Sequence, residues 1–168
     1  LANLAIASLS STMTVFSGQN LGAGNYRRLC RSAWLIPLSA GAITLSAGIL
    51  VTIFCNPLLA LFTHDTALLA FATRYIHIVL PFTWMYAIMN VIMCFANGIG
   101  EIKYPTIVNL FILWGVRIPV AYLLSRLGYG GYAMASVPLS FLAGMILMLF
   151  YFRTKRWAKL CALAKNEP

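Results

Sequence analysis

Negative charge is almost missing from this sequence: Asp65, Glu101 and Glu167 are its only carboxylates among 168 residues. None lies within a long apolar run, so no carboxylate pair is available there for general acid–base work. Charge of either sign is scarce, at 9% of residues against 61% hydrophobic. A soluble domain spends about 25% of its residues on charge, and so few cannot cover a water-facing surface. The composition, with a mean hydropathy of +0.86, is that of a membrane protein. Cysteine is limited to positions 30, 55, 94 and 161 with no CxxC pair, which argues against a metal site or disulfide framework. HExxH, GxSxG and Walker motifs are absent. His64 and Asp65 are adjacent but lack a nucleophile, and His77 is isolated. No enzymatic activity, cofactor or bound metal is expected.

What is present is a series of long apolar segments. A helix needs about 20 mostly apolar residues to cross the hydrocarbon core, and five such spans are expected at 1–17, 32–55, 75–97, 104–125 and 129–152. Runs 32–63 and 127–152 contain no charged residue. Lipid leaves exposed backbone amides unsatisfied, so the expected fold is all-α, a polytopic transmembrane helical bundle with short loops near 63–74, 98–103 and 126–130. The chain opens on Leu1 inside an apolar segment and without a signal-peptide pattern, which suggests part of a longer protein.

The net charge of +9 is unevenly placed. Arg27, Arg28, Arg31, Lys103, Arg153, Lys155, Arg156, Lys159 and Lys165 fall on one side of the expected spans, and only Arg74 and Arg126 in loops on the other. The positive-inside rule puts 18–31, 98–103 and the basic tail 153–168 in the cytoplasm. Topology thus accounts for most of the basic residues, and nucleic acid is not an expected partner. Trp157 and the lysines of the tail suit the headgroup region of a bilayer.

The spans also carry polar and small residues in register. At about 100° per residue, Asn3, Ala7, Ser10, Thr14 and Ser17 share one face. Pro37, Gly41, Thr44, Gly48 and Thr52 share another, and both stripes suit close helix packing. In the third span Thr83, Tyr86, Asn90, Cys94 and Asn97 fall within roughly 60–80° of arc. Two amides facing lipid would be costly, so that face should meet a partner helix or a cavity. Met85, Met89 and Met93 run beside it. The fourth span presents Thr106, Asn109 and Arg117 on one side. A cation there costs about 2.5–3.5 kcal/mol on insertion scales, which marks Arg117 as a functional candidate. Snorkelling, or bonding to carbonyls freed by Pro119, is the structural alternative. Tyr86, Asn90, Asn109 and Arg117 are the candidates to face a cavity. Pro81, Pro119 and Pro138 lie inside spans and permit kinks.

The glycines of "SGQNLGAGNYRRLCR" at 17–31 have neither GxGxxG nor P-loop spacing and follow a span rather than a strand. Gly18, Gly22 and Gly24 are expected to end a helix and turn the chain before the arginines. The stretch "GQNLGAGNYRRLCR" resembles the loop between the second and third helices of each lobe in the MATE family, the multidrug and toxic compound extrusion transporters. "LFTHDTALLAFATRYIHIVLPF", "ANGIGEIKYPTIVNLFILWGVRIPVAYLL" and "GGYAMASVPLS…FYFRTKRW" resemble successive parts of that family's C-terminal lobe.

The resemblance implies helices eight to twelve of a twelve-helix, two-lobe transporter that alternates access to a central cavity. It implies a multi-pass protein of the plasma membrane (the bacterial inner membrane) with a cytoplasmic C-terminus. It further implies export of drug-like, often cationic, small molecules in exchange for Na+ or H+. The remaining helices of the full-length transporter and the lipid bilayer would be its partners. The NorM-like branch carries an acidic residue on the tenth helix; here 75–97 has none, and the matching region is the Tyr86–Asn90 stripe. Either coupling would rest on carboxylates in the N-terminal lobe, as in the DinF-like branch, or the protein would handle something else. A lipid-linked-precursor flippase of the same superfamily and a truncated, non-transporting fragment are the alternatives.

Overall fold

Ten helical segments and no strand make up the residues that the computed structural model describes, 2–60, 65–127 and 134–151. His64, Cys161, the connection 128–133 and the basic tail from Arg153 lie outside them. The described structure is all-α, a helical transmembrane bundle.

The first helix, α1 (Ala2–Gly22), runs through Gly18 and Gly22. The expected loop from 18 to 31 therefore contracts to Ala23–Asn25, and α2 (Tyr26–Ile53) begins ahead of the arginines. Gly24 alone makes the turn, with φ +75°. Its amide donates to the Leu21 carbonyl at 3.2 Å and that of Asn25 to the Asn20 carbonyl at 2.9 Å. This paired closure of a helix C-terminus around a left-handed glycine satisfies two carbonyls that would otherwise be orphaned. The same arrangement recurs at Gly100 (φ +84°), where the Gly100 and Glu101 amides donate to the Asn97 and Ala96 carbonyls.

A short α3 (Cys55–Ala60) follows α2. The expected outer loop at 63–74 is instead helical from Thr66: α4 (Thr66–Val79) starts at Asp65, whose carboxylate accepts from the amides of Ala67 and Leu68. Pro81 introduces a 3₁₀ turn at Leu80–Phe82, after which α5 (Thr83–Gly98) continues. Helix α6 (Lys103–Leu110) leads into a π-helical segment, Phe111–Arg117, and then α7 (Ile118–Arg126). Pro119 explains the π segment: it lacks an N–H for the Gly115 carbonyl and its ring crowds that position. The Ile118 amide donates five residues back, to Leu113. Helix α8 (Ser136–Tyr151) closes the described chain.

Helix α5 is the centre, packed against α1, α2 and α8. Ala87, Val91, Ile92, Phe95 and Ala96 are buried at most 1% exposed, together with Met13, Leu29 and Met148 from the surrounding helices. Small residues set the spacing. Gly41 packs against Ile88, Gly98 against Ser17 and Thr14, and Gly144 against Met89 and Ile112. The expected stripe on α2 is the packing face: Pro37, Gly41, Thr44 and Gly48 are buried. Outward faces are apolar, with Leu38, Ile53, Trp114 and Leu123 each more than half exposed, as suits contact with lipid.

Three stretches are long and apolar enough to cross a membrane: Tyr26–Ile53, Thr66–Gly98 and Lys103–Arg126. Helix α1 has the length, 21 residues, but its serines, threonines and asparagines make it less apolar. The apolar α8 is described over 16 residues.

Candidate functional site

One cavity of about 920 Å³ opens between α1, the end of α2 with α3, the α4–α5 junction, the π segment and α8. Pro81 and Pro119 shape it, because both interrupt regular helix beside it. Of the four candidates from the sequence, Tyr86, Asn90 and Arg117 line this cavity. Asn109 does not: it stands exposed on α6. The π segment separates Asn109 from Arg117. Bonds spaced five residues apart put an extra residue into a turn and rotate everything beyond it, so uniform 100° spacing does not carry across 111–117.

The polar face of α5 is tied to α1. Ser10 Oγ donates to Asn90 Oδ1 at 2.8 Å, and Asn90 Nδ2 donates to Tyr86 Oη at 3.2 Å. Cys94 Sγ lies 3.9 Å from the same Asn90 oxygen, and Thr14 Oγ1 donates to the Cys94 carbonyl. The α5 stripe thus meets both a partner helix and a cavity. Its last member, Asn97, is exposed.

Arg117 is half-buried. Its guanidinium carbon lies 6.0 Å from the centroid of the Phe141 ring, and that ring stacks obliquely on Tyr86 with centroids 5.0 Å apart. Its Nε is buried without a hydrogen-bond partner among the described residues. No Asp or Glu lines the cavity among those residues.

Sequence reasoning missed Phe141 and the role of Ser10. Phe141 sits in a charge-free run among other large apolar residues, where no pattern separates a cavity-facing ring from a lipid-facing one. Ser10 belonged to a stripe read as packing; a hydrogen bond across helices was not legible from spacing alone. His77 bonds locally to the Thr73 carbonyl through Nδ1 at 2.8 Å. No cluster of three or more metal-ligating side chains occurs among the described residues.

The described residues form a helical membrane domain with apolar outer faces and a cavity bordered by broken helices. The MatE family model matches residues 2–123, and the chain belongs to that family. It is 27% identical over 154 residues to a probable multidrug resistance protein of Bacillus subtilis, YoeA, covering 87% of this chain and 32% of the relative. It is 24% identical over 166 residues to a probable multidrug resistance protein of Thermotoga maritima, NorM, covering 95% and 35%. An uncharacterized transporter of B. subtilis, YisQ, is 28% identical over 138 residues, covering 79% and 29%. The chain spans about a third of the length of the curated relatives it matches. No solved structure matches it.

Proposed function

We propose that this chain is the last five helices of a multidrug efflux antiporter, which rocks two lobes about a central site and exports drug-like molecules in exchange for Na+ or H+. The observation that carries the reading is the cavity in which Tyr86, Asn90 and Arg117 meet, within a chain of the MatE family. An ionisable group inside a membrane bundle marks a substrate or ion pathway by default, and Arg117 is such a group. The helix breaks at Leu80–Phe82 and Phe111–Arg117 border the same space, where a rocking lobe needs bending points. The glycine turns at Gly24 and Gly100 and the basic residues beside them lie on the cytoplasmic side, by the charge bias of the loops. Substrate and bilayer are the partners, and the coupling carboxylates lie outside this chain.

The test is expression of the complete transporter in a bacterial strain stripped of its major efflux pumps, with ethidium accumulation as the readout. Lower accumulation than in the empty-vector strain is expected, and it should be lost when the Na+ and H+ gradients are collapsed. Unchanged accumulation, with the protein inserted in the membrane, would overturn the reading.

A further inference from the structure

Three polar groups of the cavity, Tyr86, Asn90 and Arg117, present hydrogen-bond donors. Arg117 carries five N–H donors and no acceptor, and its buried Nε has no partner among the described residues. Tyr86 Oη already accepts from Asn90 Nδ2, so the phenolic hydrogen remains to be donated. Asn90 spends its carbonyl oxygen on Ser10 and keeps a second N–H. Thr83 turns its hydroxyl back to the Val79 carbonyl. Arg117, Tyr86 and Asn90 thus offer donors, while Thr83 with its hydrogen spent offers only lone pairs. Arg117 is the only charged side chain among the described residues that form the cavity. The guanidinium and Tyr86 both lie against Phe141, which places an aromatic face beside the donors.

From this donor-rich wall we infer that the cavity takes an aromatic acid, with the carboxylate of the ligand on Arg117 and the Tyr86 hydroxyl and its ring against Phe141. A planar guanidinium matches a carboxylate with two parallel bonds and stacks on aromatic faces. The volume of about 920 Å³ falls in the range of about 300–1,000 Å³ that holds drug-sized ligands. A ligand that also carries a positive group would find the countercharge outside this chain. The inference rests on the reading that this cavity receives substrate.

Three probes of nearly equal shape test it on the purified full-length transporter by titration calorimetry: naphthoate, naphthamide and naphthylmethylammonium. Naphthoate is expected to bind tightest. In Arg117→Gln its Kd should rise about tenfold or more, the loss typical of a charge-assisted hydrogen bond, while naphthamide binding is unchanged. Arg117→Lys keeps the charge and should recover part of the naphthoate affinity, which also controls for misfolding of the glutamine variant. Tightest binding of naphthylmethylammonium would overturn the inference, as would equal weakening of all three probes in Arg117→Gln, which would mean that Arg117 holds the bundle or pairs with a carboxylate elsewhere in the transporter. The two readings fail separately. Intact ethidium efflux with no naphthoate binding sinks the aromatic-acid site alone. Naphthoate binding that depends on Arg117, in a protein that does not lower ethidium accumulation, sinks multidrug efflux alone.

Discussion

Ser10 of α1 and Asn90 of α5, eighty positions apart, are joined by a 2.8 Å hydrogen bond from the serine hydroxyl to the amide oxygen. That bond fixes which way the Asn90 side chain faces. Its oxygen turns to α1, and its amide nitrogen to Tyr86 and the cavity. A packing stripe on one helix thus orients a cavity-facing group on another.

Removing the serine hydroxyl and removing the amide should therefore differ. Ser10→Ala is expected to lower stability by about 0.6–1 kcal/mol, the usual worth of one interhelical bond in a membrane, and to lower ethidium efflux in part, because Asn90 keeps its amide but loses the bond that orients it. Asn90→Leu loses the bonds to Ser10 and Tyr86 together and should abolish most efflux at normal expression. Thermal melting of the detergent-solubilised transporter and dye accumulation are the two readouts.

The crossing of α1 and α5 depends on a missing Cβ. A methyl group at Gly98 would collide with Ser17 Oγ and with the Thr14 carbonyl, and the backbone atom cannot swing aside. Gly98→Ala should cost about 1–3 kcal/mol as an overpacked contact. Gly22 has nothing within 4 Å of such a methyl. Gly22→Ala should be neutral or stabilise by up to about 1 kcal/mol, because alanine favours helix. Melting temperatures that move together in the two variants would contradict this.

Gly144 of α8 is filled from both sides by Met89 and Ile112. Gly144→Ala should destabilise by about 1–3 kcal/mol. Shortening Met89 to alanine opens the space the new methyl needs, so the double variant should be less destabilised than the sum of the singles. A double-mutant cycle on melting temperature reads this coupling directly.

At the start of α4, Asp65 accepts from the Ala67 amide at 2.9 Å and from that of Leu68 at 3.4 Å. Asp65→Ala should cost about 0.5–2 kcal/mol through loss of the cap, and Asp65→Asn much less. Amide hydrogen exchange over the first turn of α4 should speed up in the alanine variant and stay close to wild type in the asparagine one.

Composition alone determined that this chain is a helical membrane protein. Runs such as 32–63 hold no charge and lack the short alternating segments of a closed barrel, which leaves helices to satisfy the backbone in lipid. Spacing also identified the buried stripe of α2 and the polar stripe of α5, because both follow the regular helical period that a sequence displays directly. The loop glycines were only partly legible. Three glycines within seven residues marked a turn, yet Gly18 and Gly22 are helical and Gly24 alone takes positive φ; which glycine turns depends on where the helix carbonyls find amides. Residues 66–74 looked like a loop and are helical, because Asp65 caps a helix whose polar residues had obscured it.

What only the tertiary structure decided was the membership of the site. Arg117 joins Tyr86 and Asn90 while Asn109 does not, because Pro119 forces a π segment that rotates the helix between them. Phe141 enters from α8, fifty-five positions beyond Tyr86, and no local period connects the two. Regular helices print their faces in the sequence. A broken helix and a contact between distant helices take their geometry from packing, and there the one-dimensional pattern stops.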